Sequence, residues 1–598
     1  MSLALLFVAA CGAPDALDDR FPAFDAGTLD PMVGPSIALE VDRLDVAVVS
    51  PAEKPDPVFG GTLTRALSGD LALAAEPARD RLHVVDLGRV GWDDARRAQR
   101  ELSPGDRPWR SVAVPGGWVV TLRKGSVIRV SETLEEQWRA DLPAPRGLDV
   151  EGDIVWVATA GGTLVGLDVA TGEELRRHEL PRDLRDVVAV SGSLFVSRFH
   201  SAEVLKIERG EVVETFAPPA SAGTRVRVAW RLTATPEGRL VLLTQAHGLG
   251  TIDNQPNSPR ATAGSGGYGT AAPQPTPGSQ GLGPVTPQIL TFDADFGVQR
   301  KVTLSDASLV VDVAARENRF LVAAAGGHEA RVLGLRGEPL GSIEAPQLAD
   351  LPGDRGRYGS RGLVTAVAFN SAGEAVAQSA GDSQLRSVHG HQPLSDTPLF
   401  DGGRLLFHER QDSGLACASC HPEGGDDGHV WNFAVGGLRR TQPLGGGLAA
   451  SAPFHWDGSI PSLSAIVRHN MNLMGGLATD PQVEAVMGWM ESIPAQTVGE
   501  VLDAADEAAG EAAFAAAGCA DCHTGSRLSD GQRHRLRGTV LDTPSLRGAG
   551  VRSGLLHDGC VPDVAALGTL ARCRDGVHDL EDVSDEDREA LLRFVAAR

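Results

Sequence analysis

The chain has 598 residues, more than one hydrophobic core can organise, so three or four domains are expected. With 55 basic against 78 acidic residues the formal net charge is −23. That balance argues against nucleic acid as a partner, because neutralising phosphates takes Lys and Arg, and it suits a basic redox partner or simply a soluble surface.

The N-terminal segment 1–11 ends in Ala9-Ala10-Cys11 after a short apolar run. It reads as a lipoprotein-type signal with Cys11 as the lipidated residue, although no Lys or Arg precedes the run. An ordinary cleaved signal with Cys11 incidental is the alternative. Either way an exported protein is expected, periplasmic or anchored to the outer membrane of a bacterium, meeting the membrane only through that lipid. No later stretch is apolar for long enough to span a bilayer. Residues 12–55, rich in Asp, Pro and Ala, read as a tether.

Residues 56–396 carry short β-strands in repeated groups of four. One group is Arg146–Val150, Ile154–Ala158, Thr163–Asp168 and Glu174–Arg176; the next runs from Asp186–Val190 through Ser193–Ser197 and Glu203–Ile207 to Val212–Glu214. Others start near Ser111, Trp230, Val310 and Val364. Four strands every 35 to 45 residues, roughly, is the pattern of β-propeller blades, and about seven are expected. Between Asn254 and Gln288 the composition turns to Gly, Pro, Ser, Thr and Ala, which reads as a solvated insertion; a ligand lid is the alternative.

After Asp401 the pattern becomes helical. Asp480-Pro481 opens a helix with Val483, Val486, Met487 and Met490 on one face, and 504–517 is an Ala- and Glu-rich helix with Phe514 inward. Ser584 caps a last helix burying Leu591, Leu592 and Val595. Within this region Cys417-Ala418-Ser419-Cys420-His421 returns 102 residues later as Cys519-Ala520-Asp521-Cys522-His523. Cys-x-x-Cys-His attaches c-type haem: the thiols form thioethers and the imidazole binds iron. Thr441, Leu444, Gly446, Ser451 and His455 recur at the same offset as Thr543, Leu546, Gly548, Ser553 and His557, and Asp457-Gly458 recurs at 101 as Asp558-Gly559. The whole unit is duplicated. The fold expected is therefore multidomain β + α, a propeller followed by two tandem α-helical cytochrome c-type domains, 397–497 and 498–598, with two covalent haems in pockets that face each other. A zinc ribbon using both Cys pairs in one tetrahedral site is the metal alternative.

His421 and His523 are the expected proximal ligands. For the first iron the remaining candidates are His429, His455, Met471 and Met474. The six Met stand at 1, 32, 471, 474, 487 and 490, so none follows the second motif. The second iron is left with His534, His557, His578, a Met from across the domain boundary, or nothing. His455 and His557 each lie 34 residues past a proximal His and are candidates either for ligation or for lining the pocket. Cys560 and Cys573 remain; in an oxidising compartment they most simply form a disulfide, with buried thiols as the alternative.

Residues 400–598 resemble the bacterial di-haem cytochrome c peroxidase superfamily. The likeness rests on the two motifs, on Phe454-His455-Trp456-Asp457-Gly458, on Thr543-Pro544-Ser545-Leu546-Arg547 and on Leu556-His557-Asp558-Gly559. The whole chain further resembles exported proteins that fuse a YVTN- or lactonase-like propeller to such a module, as do the Cys560…Cys573 pair and His578. The resemblance implies an aromatic between the haems, a place that Trp456 matches; one residue is inserted relative to the family's spacing, so His455 is the alternative. The resemblance departs at Leu473, where the peroxidases carry a Glu before the Met, and in lacking a Met after His523. Electron transfer between an exported donor and acceptor, protein or small molecule, is thus the leading expectation. The alternatives are a peroxidase-like enzyme that reduces hydrogen peroxide or oxidises a propeller-bound substrate, and a binding protein whose propeller recognises a ligand.

Overall fold

The computed structural model describes residues 54–598 apart from 93, 253–282, 317, 345–346, 351–358, 475–477, 497, 499–500, 537, 571–572 and 574–577. The signal segment with Cys11, residues 12–53 of the tether and most of the Gly/Pro-rich insertion lie outside the described residues.

Seven four-stranded antiparallel sheets span 63–101, 108–141, 145–179, 184–216, 224–303, 310–344 and 363–393. These are the blades of a β-propeller, numbered here 1 to 7. The first two strands of a blade are largely apolar on both faces, as in Gly117–Leu122 and Leu363–Phe369, every residue of which is buried. Outermost strands such as Glu174–Glu179 and Glu211–Phe216 are largely exposed. Face-to-face packing of blades buries both sides of an inner strand and leaves the last one at the rim, so hydrophobicity falls outward within each group. The ring closes between blades 1 and 7: Gly61 N donates to Thr365 O (3.2 Å) and Thr62 Oγ1 to Gln378 Oε1 (2.9 Å).

A repeated aspartate joins neighbouring blades. Asp149 accepts from Ala189 N (2.8 Å), Asp186 from Leu232 N (2.9 Å) and Asp312 from Val367 N (3.1 Å). Each carboxylate satisfies a buried amide of the next blade that no ladder reaches. Around the axis the charges pair: Arg110 with Asp186 at 3.5 Å, and Arg231 with Asp186 at 3.3 Å and Asp312 at 3.6 Å.

Six α-helices are seen among the described residues, all in the C-terminal third: α1 (Gly402–His408), α2 (Cys417–Cys420), α3 (Leu463–Leu473), α4 (Asp480–Met490), α5 (Ala504–Ala516) and α6 (Asp585–Ala596). Asp480 is the first helical residue of α4, with Thr479 as its cap. Helix α6 buries Phe594 beside Leu591 and Val595, while Leu592 is only half-buried.

The C-terminal region shares a core with the propeller. Phe199, Trp230 and Val311 of the blades belong to one buried cluster with Leu405, Phe407 and Trp489. The segment entering blade 1 is clamped between the two. Lys54 pairs with Asp401 (2.6 Å), Pro55 O accepts from Trp489 Nε1 (2.8 Å) and Val58 N donates to His408 Nε2 (3.1 Å). Residues 54–55, read from sequence as the end of a free tether, are therefore held in place. The stem of the blade 5 insertion also crosses over: Thr251–Ile252 pairs in parallel with Val430–Phe433. On its far side Val285–Phe292 is a full blade strand. Positions 285–288, read as insertion, are thus strand, paired along their length with Thr244–His247 of the same blade, and Val285 packs against Trp431 and Met474.

Glu423, two residues past His421, reaches the propeller axis and pairs with buried Arg185 at 2.5 Å. Its carboxylate also acts on Arg123 and Arg146, the latter lowered by burial to about 10. Removing one partner of a buried pair strands the other charge, at a cost of about 3 kcal/mol or more. An exposed pair such as Arg177–Glu174, with both side chains more than two-fifths accessible, is worth at most about 1 kcal/mol. Glu423→Gln is expected to lower the thermal midpoint clearly and Glu174→Gln hardly at all. Equal shifts in differential scanning calorimetry would contradict this.

Candidate functional site

The two Cys-x-x-Cys-His segments fold alike. His421 N donates to Cys417 O and His523 N to Cys519 O, both at 2.9 Å, so a single tight turn puts each histidine on the same side as its cysteines. His421 Nδ1 is 3.2 Å from Gly425 O and His523 Nδ1 is 2.9 Å from Leu528 O. A carbonyl at Nδ1 fixes the ring proton there and leaves the Nε2 lone pair for a metal. Burial lowers the pKa of both histidines, which keeps them neutral, as a ligand must be.

The duplication extends to the backbone. Hairpin Val430–Phe433/Gly437–Arg440 recurs as Arg533–Leu536/Thr539–Asp542. The bridge Phe454↔Ile460 recurs as Leu555↔Val561. The two units then exchange equivalent bonds. Arg440 N donates to His557 O (2.7 Å) and Asp542 N to Trp456 O (2.8 Å). Such reciprocity is the mark of a two-fold, isologous contact, here within one chain.

This geometry corrects one pairing made from sequence. The bridges are offset by 101, and His455 (φ 69°) and Leu556 (φ 64°) share the left-handed conformation just after them. His455 therefore corresponds to Leu556, and Trp456 to His557. The inserted residue precedes His455, and counting forward from the motif could not locate it. Trp456 and His557 face each other across the seam with ring centroids 6.3 Å apart. The Trp456 indole N–H donates to Arg440 O (2.6 Å).

Both motifs open onto one cleft, a cavity of about 490 Å³. Cys417, Cys420 and His421 line it together with Cys519, Cys522 and His523; His455, Trp456, Met471, Met474, His557 and His578 line it as well. His469, which the sequence reading passed over, also lines it, its ring 5.7 Å from that of His455; its place on α3 beside Met471 was the available signal. Met474 packs with Cys417 and Cys420. His429 is not among the residues that line the cleft. It is buried between Trp431 (4.5 Å) and His247 (4.9 Å). His534 lines the cleft but is bound to Asp530 at 2.7 Å. Cys560 and Cys573 form a disulfide, with Cα atoms 5.6 Å apart.

The donor set fits haem. The four motif cysteines carry no disulfide, and burial pushes the Cys417 thiol up to about 12; each pair sits with a neutral histidine on a largely apolar void. The zinc ribbon does not fit. Among the described residues the one group of three close metal-ligating side chains is Cys522, Asp530 and His534, so the Cys pairs do not converge on a single tetrahedron.

Residues 78–217 and 123–248 match, in overlapping stretches, the family model of the outer membrane protein assembly factor BamB. The match covers less than a third of the chain and concerns its propeller. No curated protein matches the chain. Among solved structures it is similar to Kuenenia stuttgartiensis hydrazine synthase (13% identity, 57% of this chain and 99% of that one, TM-score 0.41). It is also similar to a streptogramin B lyase (11% identity, 55% and 92%, TM-score 0.38) and to BamB from Moraxella catarrhalis (13% identity, 54% and 83%, TM-score 0.32). Likenesses of this depth carry no functional argument. What the chain establishes is a β-propeller joined to a duplicated unit that faces one cleft.

Asp542 sits at the seam, and burial, with Asp530 nearby, pushes its carboxyl up to about 7. An unfolded Asp titrates near 3.9. Between about pH 4 and pH 7 the folded chain holds a proton that the unfolded chain has lost, so stability falls as pH rises through that window. Asp542→Asn is expected to raise the thermal midpoint at pH 8 and to leave it unchanged at pH 4. A gain of the same size at both values would contradict the assignment.

Proposed function

We propose that this protein is an exported di-haem c-type cytochrome that carries electrons between a donor and an acceptor. The observation that carries this reading is the shared cleft. Two equivalent turns each present an unbonded Cys pair and a neutral, carbonyl-anchored histidine to one apolar void. Bound haem would supply a one-electron iron couple. Cys417 and Cys420 would hold one porphyrin and Cys519 and Cys522 the other, with His421 and His523 as the proximal ligands.

The chain's own residues then have defined tasks. The apolar lining excludes water, Gly425 O and Leu528 O orient the imidazoles, and Trp456 and His557 fill the gap between the two halves with aromatic rings. Burial of the seam fixes the separation of the two sites, which sets the rate of transfer between them. The Cys560–Cys573 disulfide supports an oxidising compartment. The acidic surface, at −23 overall, suits a small carrier or a basic protein partner. Electron carriage is favoured over peroxide reduction because Leu473, where the resembling peroxidases place an acid, is buried and apolar. Rapid O–O cleavage calls for an acid–base group at the iron.

Cys519→Ala with Cys522→Ala is expected to leave one covalent haem per chain in a pyridine haemochrome assay, against two in the unaltered protein. Two retained by the variant, or none bound by the unaltered chain matured in a cytochrome c-producing host, would overturn the proposal.

A further inference from the structure

We infer that His578 is the sixth ligand of the iron whose fifth ligand is His523, which makes the second haem a bis-histidine centre. This rests on the di-haem reading and goes beyond it by naming one coordination sphere.

The His523 and His578 rings both line the cleft, with centroids 6.4 Å apart and planes inclined by 50°. A ligating imidazole nitrogen lies about 2.0 Å from its metal, and the ring centroid about 1.1 Å further on. Two imidazoles on opposite sides of one iron therefore have centroids roughly 6.2 Å apart. The observed centroid separation matches that of two imidazoles ligating one iron.

The other residues that could take this position are committed elsewhere. His534 is held by Asp530 at 2.7 Å. His557, whose carbonyl receives Arg440 N, turns its ring to Trp456 across the seam. Nor does a methionine follow the second motif.

Two anchored residues flank His578. Five residues before it, Cys573 is tied to Cys560. Two residues after it, Leu580 is buried in the core with Phe514, Leu591 and Phe594. Gly568, in a left-handed turn (φ 74°), lies so close to Leu580 that a Cβ there would meet its side chain at 2.6 Å. The disulfide at Cys573 and the packing of Leu580 thus flank His578 in the chain. The duplicated unit has no such histidine at the matching offset of 101 or 102, where Gly476 and Leu477 stand. The two haems are thus built to differ: the second closed to added ligands by His578, the first with Met474 packed against Cys417 and Cys420.

The test compares the unaltered protein with His578→Ala, His534→Ala and His557→Ala, each first checked for two haems per chain by pyridine haemochrome. In the unaltered ferric protein, electron paramagnetic resonance and near-infrared magnetic circular dichroism are expected to show a low-spin bis-imidazole centre. In His578→Ala that centre is expected to become high-spin, carbon monoxide bound by the reduced protein is expected to rise by one per chain, and millimolar imidazole is expected to restore the low-spin signal. The other two variants are expected to keep the parent spectrum. Two haems with no bis-imidazole signature in the unaltered protein would overturn the inference, even if the alanine variant failed to mature. So would an unchanged spectrum and ligand stoichiometry in His578→Ala. Absence of haem from the unaltered chain would instead overturn the function on which the inference rests, and the haemochrome assay tells the two failures apart.

Discussion

The reciprocal pair of backbone bonds, Arg440 N to His557 O and Asp542 N to Trp456 O, is the constraint on which the C-terminal region depends. The two bonds join the duplicated units, and residues of both line one cleft. The pseudo-two-fold arrangement explains why both units are retained in one chain and why the aromatic residues at equivalent positions, Trp456 and His557, meet at the seam. It also brings two attachment turns into one cavity without a partner subunit.

The propeller is a chassis for this arrangement more than a separate module. A path of buried charge runs from Asp183 to His200 (2.8 Å), from His200 to Asp426 (3.7 Å), from Asp426 to Arg440 (2.7 Å), and by Arg440 Nε to Ser553 O (3.1 Å). It starts in blade 4 and ends in the second unit. Burial disfavours charge on His200, yet Asp183 and Asp426 outweigh it and hold its pKa above the usual value. With Glu423 on Arg185 and the shared core around Phe407 and Trp489, removing the blades would strip the cover from the first unit. A truncation at residue 396 therefore cannot separate the role of the propeller from the stability of the C-terminal region.

Much of this was legible in the sequence. Blade strands announce themselves because burial on both faces demands Val, Ile, Leu and Ala runs, as in Ile154–Thr159 and Leu363–Phe369, and the rim strands turn charged where solvent begins. The attachment motif is local chemistry at fixed spacing, so a count of residues finds it. The parts that stayed hidden are those set by contacts distant in sequence. His429 looked like a ligand by proximity to His421, yet its environment is made by His247 of blade 5. The equivalence of Trp456 with His557 depends on where one inserted residue falls, which only the bridge Phe454↔Ile460 reveals. The opposition of His578 to His523 spans 55 residues and a disulfide, and no periodicity encodes it.

The most direct measurement of the central claim is peptide-level mass spectrometry on full-length chain secreted from a host with a c-type maturation system. The peptide bearing Cys417 and Cys420, and separately the peptide bearing Cys519 and Cys522, is expected to carry the mass of one porphyrin with its iron. Unmodified cysteines in both peptides, or zinc bound to the intact chain in place of porphyrin, would contradict it.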